Sequence, residues 1–199
     1  MELDKARTAV IAAHFENDIV TADGAFGGYF AAQATARGVV GKARSIIDAA
    51  HAAGATVVYT KVGWDAGHKT LVPNNPLLSI VAQQGCLVNG TWQTEIVDGL
   101  APVDGDYVLT NERVSNFADS PLDTILGGHN VNTVVIFGVA TNLSVEDSAR
   151  HASNLGYRVI VVDDASSAAS DEAHAATLGS LGLLGEVAQS ADVIAALSA

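Results

Sequence analysis

The sequence predicts an α/β domain, a three-layer, Rossmann-like arrangement with an open, mainly parallel sheet of about six strands flanked by helices. Three observations carry this reading. Short apolar runs rich in β-branched residues recur along the chain. They are apolar throughout rather than alternating, as strands covered on both faces are. Longer stretches of helical periodicity separate them, which implies a parallel sheet with helices on both sides. The 199 residues suit one domain of ordinary size, spanning residues 1–199.

Residues 8–13, Thr-Ala-Val-Ile-Ala-Ala, read as the first buried strand. A long amphipathic helix is expected over residues 34–53, ended by Gly54 as helices are ended by a glycine just past the last turn. Further strands are expected at residues 56–60, 107–109, 133–137 and 158–162. Between them, Ser120-Pro121 marks a helix start, with serine as N-cap and proline in the first turn. Other helices are expected over residues 142–156 and 172–184. Residues 60–105 are less regular: Pro73, Pro76 and Pro102, with the turn signals Asn74-Asn75 and Asn89-Gly90, suggest an excursion over the sheet carrying one or two short helices.

Charge and composition exclude several classes of partner. Ten basic face 22 acidic side chains, a formal net charge of −12, and most of the acidic excess lies beyond residue 100. Such a surface repels phosphate backbones and anionic lipid, so no nucleic acid and no membrane partner is expected. No apolar run approaches the ~18 residues of a membrane span, and the charged N-terminal segment does not read as a signal peptide. The single thiol, Cys86, suits a reducing compartment, so a cytoplasmic location is expected. Only 16% of residues are charged, against about 25% in soluble domains, which hints at a subunit-covered surface. Enrichment in alanine explains part of that hint.

In open α/β sheets, ligands bind beyond the carboxyl ends of the strands where strand order reverses. Three segments qualify: residues 14–18, 111–117 and 138–144. The last, Gly138-Val139-Ala140-Thr141-Asn142-Leu143-Ser144, carries a strand into a helix, whose unpaired N–H groups and dipole favour negative charge. Ser144 there can act as a nucleophile with those N–H groups holding an oxyanion. Equally, a serine in a first helical turn is commonplace.

With these motifs in view, nearly the whole chain resembles the isochorismatase-like hydrolase superfamily, which includes nicotinamidases and N-carbamoylsarcosine amidohydrolases. That family's first-strand pattern, apolar residues then Asp-Met-Gln-Asn-Asp-Phe, is matched by Ala13-His14-Phe15-Glu16-Asn17-Asp18-Ile19. Its middle motif, a lysine followed by Arg-x-Ser-x-Phe, is matched by Asn111-Glu112-Arg113-Val114-Ser115-Asn116-Phe117. Its third, Gly-Val-x-Thr-Asn-x-Cys-Val-Glu, is matched by residues 138–146 with Ser144 in the cysteine place. Asp163-Asp164-Ala165 and His174 fit further family positions.

The resemblance implies a site built from an aspartate, a lysine and a cysteine, and this chain has His14, Asn111 and Ser144 in those places. A serine without a base is inert at neutral pH, and loss of the aspartate argues against isochorismate hydrolysis and nicotinamidase activity. One reading has His14 accept the Ser144 proton, Asn111 orient His14 or the substrate, and the Ala140 and Ser144 backbone N–H groups form the oxyanion hole, as the resemblance implies. Hydrolysis of a small molecule at an amide C–N or ester bond follows from it. In another reading the pocket persists in a catalytically silent ligand-binding protein. In a third, His14 performs non-covalent acid–base catalysis. The resemblance further implies a cis peptide between Val139 and Ala140 and a homo-oligomer, dimer or tetramer.

Phe15, Trp64 and Phe117 are the candidate pocket walls, and Arg113 either binds a substrate carboxylate or anchors a loop. Asp65 and His68 have a spacing able to ligate a metal, but no second histidine follows in the excursion, so a solvated turn is the better reading and no metal site is assigned. His129 is expected at helix carbonyls, His151 exposed or at an interface, and His174 structural. Residues 24–28 lack dinucleotide-fingerprint spacing, and no Walker or Gly-x-Ser-x-Gly motif occurs. No cofactor is expected.

Overall fold

The structure, a computed structural model, describes residues 1–199. Six strands form one sheet: β1 (Thr8–Ala13), β2 (Thr56–Val62), β3 (Tyr107–Asn111), β4 (Thr133–Gly138), β5 (Arg158–Val162) and β6 (Glu186–Ala188). Their order is β3-β2-β1-β4-β5-β6, and every neighbouring pair is parallel. The helices are α1 (Asn17–Val20), α2 (Gly27–Arg37), α3 (Val39–Ala53), α4 (Pro76–Gln84), α5 (Leu122–Gly128), α6 (Glu146–Asn154), α7 (Asp171–Leu181) and α8 (Ser190–Ser198).

Every residue of β1 and of β4 is buried, as the unbroken apolar runs require of central strands covered on both faces. Successive side chains point to opposite faces. Val10 and Ala12 therefore join a core with α2, α3 and α8, whereas Ala9, Ile11 and Ala13 join a second core with α5, α6 and α7. No helix is long and apolar enough to cross a membrane.

Element boundaries depart from the sequence reading where glycine or local bonding intervenes. The helix expected over residues 34–53 is two helices, because Gly38 takes φ 65° and ends α2 before α3 begins. Helix α5 starts after Pro121, and Ser120 Oγ accepts the Leu122 N–H at 3.3 Å instead of occupying the N-cap position. The helix expected over residues 142–156 opens with one wide turn, Thr141–Val145, closed by a Val145 N–H to Ala140 carbonyl bond spanning five residues, before α6 proper. The excursion after β2 carries α4, started by Asn75, whose Oδ1 accepts the Leu78 N–H at 2.9 Å, and a short 3₁₀ turn, Trp92–Thr94.

From β1 the chain steps outward to β2 and β3, then returns to the other side of β1 with β4. Strand order thus reverses between β1 and β4, whose adjacent carboxyl ends open the crevice where such sheets bind ligands. His14 follows β1 and the turn at residues 139–144 follows β4.

Candidate active site

The close pairing of β1 and β4 demands a glycine at the end of β4. Gly138 pairs with Ala13 and adopts φ 139°, and a Cβ there would overlap the Ala13 carbonyl oxygen. The next peptide, Val139–Ala140, is cis. Val139 N–H donates to the Ala13 carbonyl at 3.0 Å, while Thr141 N–H donates to Ser167 at 2.8 Å. The N–H of Ala140, between them, donates to no group within the chain, although Ala140 is buried.

His14 is buried, with its backbone in the left-handed region at φ 57°, a conformation histidine adopts more readily than most side chains. Its N–H holds it to the Thr60 carbonyl at 2.9 Å. Nε2 donates to Asn116 Oδ1 at 2.9 Å, so Nδ1 is the basic nitrogen of a neutral ring. Burial lowers the His14 pKa from 6.5 to about 4, against the opposing Asn116 hydrogen bond, so the ring is neutral at physiological pH.

The partner expected in Asn111 is supplied by Asn116 instead. Asn111, at the end of β3, spends its amide N–H groups on the Ser115 and Ala118 carbonyls at 2.7 and 2.9 Å, which closes the loop. That closure presents Asn116, whose own N–H is held by Ser148 Oγ of α6 at 2.9 Å.

Ser144 Oγ donates to the Val139 carbonyl at 3.1 Å and makes no hydrogen bond with His14. The two side chains nevertheless line one pocket, a cavity of about 60 Å³ also lined by Ala140. Thirteen of its sixteen lining residues are hydrophobic, among them Ile19, Phe26, Phe30, Trp64, Leu78 and Val81. Trp64 is fully buried and its Nε1–H has no partner. Phe15 and Phe117, expected in the wall, are absent from it. Phe15 points into the first core against Phe137, and Phe117 packs on His151 and Tyr157 in the second. Phe26, which caps α2, and Phe30 in its first turn take their place, with rings 6.5 Å apart. Arg113 lines the pocket mouth while bonded to Asp119 at 2.9 Å and to the Glu112 carbonyl at 3.1 Å, so it anchors its own loop.

A second polar network supports the turn from behind. His174 of α7 is hydrogen-bonded through Nδ1 to the Thr141 hydroxyl at 2.8 Å, and its Nε2 meets Asp163 at 2.9 Å and Arg37 at 2.8 Å. Arg37 of α2 also donates to Asp163, at 2.7 Å. Burial opposes ionisation of Asp163, but the bonds from His174 and Gln189 and the charge of Arg37 hold its carboxyl below the ordinary range. His151 bonds Ser115 Oγ at 3.1 Å; His129 caps α5 as expected, its backbone N–H on the Ile125 and Leu126 carbonyls at 3.2 Å, while its ring bonds the Tyr107 hydroxyl at 2.8 Å. His68 is bonded to the Cys86 carbonyl at 2.7 Å, and no three His, Cys, Asp or Glu side chains gather as a metal-holding set.

Glu16 was passed over in the sequence. It is fully buried, and burial raises its pKa from 4.5 to about 8 against the Val62 hydrogen bond and the Lys61 charge. A measurable consequence follows for stability. The folded His14 stays neutral down to about pH 4 while the unfolded ring protonates below about 6.5, so stability falls as pH drops through that window. Folded Glu16 keeps its proton up to about pH 8 while the unfolded side chain loses it above about 4.5, so its contribution is lost as pH rises. The two oppose each other between about pH 4.5 and 6.5, and above that only Glu16 acts. The fold should lose about 2 kcal/mol between about pH 6.5 and 8 that Glu16→Gln does not lose. Urea unfolding of both proteins at the two pH values checks this; equal slopes would contradict it.

A sequence profile of the isochorismatase domain matches residues 8–192. A ureidoacrylate amidohydrolase of Rhizobium rhizogenes is 32% identical over 179 residues, covering 82% of this chain and 71% of that protein. Another, from Agrobacterium fabrum, is 34% identical over 142 residues, 65% of this chain and 62% of that one, so the match spans less than two thirds of that relative. A cysteine hydrolase structure from Pseudomonas syringae superposes with TM-score 0.88 at 23% identity, covering 100% of this chain and 95% of the other. The N-carbamoylsarcosine amidase of Thermoplasma acidophilum superposes with TM-score 0.74 at 26% identity, covering 92% and 96%.

Proposed function

The chain belongs to the isochorismatase family, and from that membership we propose that it is an amidohydrolase cleaving a C–N bond, or an ester, in a small and largely apolar molecule. The observation that carries the proposal is the meeting of three groups in one apolar pocket at the point of strand reversal. They are a neutral histidine, the Ser144 hydroxyl and the unspent Ala140 N–H. The kinship with ureidoacrylate amidohydrolases and an N-carbamoylsarcosine amidase supports C–N chemistry.

In this mechanism His14 Nδ1 takes the Ser144 proton as Oγ attacks the carbonyl carbon. The Ala140 and Ser144 N–H groups stabilise the oxyanion. Asn116 keeps the ring in the tautomer that leaves Nδ1 basic, the part an orienting group plays in a triad. Return of the proton to the leaving nitrogen gives an acyl-serine, which water releases by the same steps. Trp64 Nε1–H is a free donor for a substrate carbonyl or hydroxyl. The apolar wall selects an apolar acyl or amine group, and the small cavity limits its size.

The Ser144 hydrogen bond to Val139, rather than to His14, favours a second reading in which His14 activates water directly. Ser144→Ala separates the two on a p-nitroanilide and a p-nitrophenyl ester of a short fatty acid. The serine route predicts a loss of at least about 10³-fold in kcat. A loss below about tenfold would remove the serine and leave water activation.

A further inference from the structure

We infer that Glu16 is the carboxylate partner of His14, a positioning residue whose ionisation makes the ring a stronger base. This rests on the reading of His14 as the site's base.

The carboxyl lies 3.8 Å from His14, Oε1 to Nδ1, and both side chains are buried. Asn116 holds Nε2, so the ring nitrogen nearest Glu16 is the one carrying the lone pair. Glu16 is itself fixed: Oε1 accepts the Val62 N–H at 2.6 Å, from the end of β2. Its second oxygen, Oε2, is buried with no partner. A carboxyl with an oxygen left unpaired in a dry site is matched only by a proton or by a nearby cation.

Three further groups define its surroundings. Lys61 of β2 lends positive charge while its Nζ donates to the Thr94 carbonyl at 3.0 Å. Asp18 of α1 lends negative charge, and its oxygens accept from the Ala25 and Leu87 N–H groups. These two act in opposite senses on Glu16, so the protonation of His14 becomes the deciding neighbour. When Nδ1 takes a proton, the O–H bond of the nucleophile breaks, an N–H bond forms, and an imidazolium stands beside Glu16. An ionised Glu16 stabilises that cation, whereas a protonated one does not. The pair therefore titrates as a unit, and the base is strongest once Glu16 has lost its proton, above about pH 8.

The test uses ¹⁵N-histidine-labelled protein, with His14 resonances assigned by loss in His14→Asn. In the wild type the His14 ring nitrogens should show a shift with an inflection near pH 8, while the ring stays neutral, and Glu16→Gln should abolish it. Glu16→Gln retains an oxygen for the Val62 N–H, and its thermal unfolding confirms the fold. The rate of labelling by a fluorophosphonate should rise about tenfold from about pH 7 to about pH 9 in the wild type and stay flat in Glu16→Gln. A ring with no inflection, or one that keeps it in Glu16→Gln, overturns the pairing. A ring inflection without labelling supports the pairing and removes the serine; labelling without the inflection overturns the pairing and leaves the serine in place.

Discussion

Replacing His14 by alanine lowers kcat/KM on an apolar anilide by at least about 10³-fold, the scale of a lost general base and about 4 kcal/mol of transition-state stabilisation. No neighbour can take over. Arg113 is a cation tied to Asp119, Asn116 has no titratable nitrogen, and Glu16 faces the ring rather than the pocket lining. The loss should be in turnover, because the thirteen hydrophobic residues that line the pocket are untouched. KM should change by less than about threefold, since binding shared by ground and transition states is retained. His14→Asn, which tolerates the left-handed backbone as histidine does, should be equally inactive and better folded. Steady-state kinetics with unfolding curves of both variants check this; activity within about tenfold of wild type in either would contradict a base at this position.

The second large effect falls on stability. Gly138→Ala places a methyl group where the Ala13 carbonyl stands, at a φ of 139° that side chains other than glycine avoid. Ala13 and Gly138 are paired residues of the two central strands, so relief would require β1 and β4 to part. Destabilisation of more than about 3 kcal/mol is expected, and a fall in Tm of about 6–12 °C or more for a chain of this size. The same change displaces the turn carrying Ala140 and Ser144. Calorimetry of the variant checks it; a Tm within about 2 °C of wild type would show that the strands yield more easily than their pairing implies.

The four inner strands were legible because each centres on an apolar run, and a parallel sheet covered on both faces leaves that mark; the edge strand β3 was legible from Tyr107-Val108-Leu109 despite its alternating exposure. The edge strand β6 was not, since its Glu186 and Val187 are exposed and its three residues carry no period. The break at Gly38 hid inside an amphipathic pattern that continues across it, because periodicity records which faces are apolar and not whether the backbone is continuous.

The site was legible in outline and misread in its supports. His14 and Ser144 stood out because the strand-reversal rule and the motifs point to the same segments, and the two side chains line one pocket. Asn111 drew attention by its place in a motif, yet from the end of β3 its amide N–H groups are spent on loop carbonyls, leaving only its oxygen unpaired. Asn116 reaches His14 because that loop folds back, a tertiary event with no local signature. Glu16 offered one signal: a carboxyl where the family pattern has an amide. Phe15 and Phe117 were drawn to the pocket by neighbouring motif residues, but Phe15 packs into the first core and Phe117 into the second.

The central claim is that Ser144 is a nucleophile activated by His14. Intact mass spectrometry after exposure to a fluorophosphonate, followed by peptide mapping, tests it without knowledge of the substrate. The expected result is one adduct per chain on Ser144, absent in His14→Ala and in Ser144→Ala. An unmodified wild-type chain under conditions that modify an ordinary serine hydrolase, or an adduct that persists in His14→Ala, would contradict it.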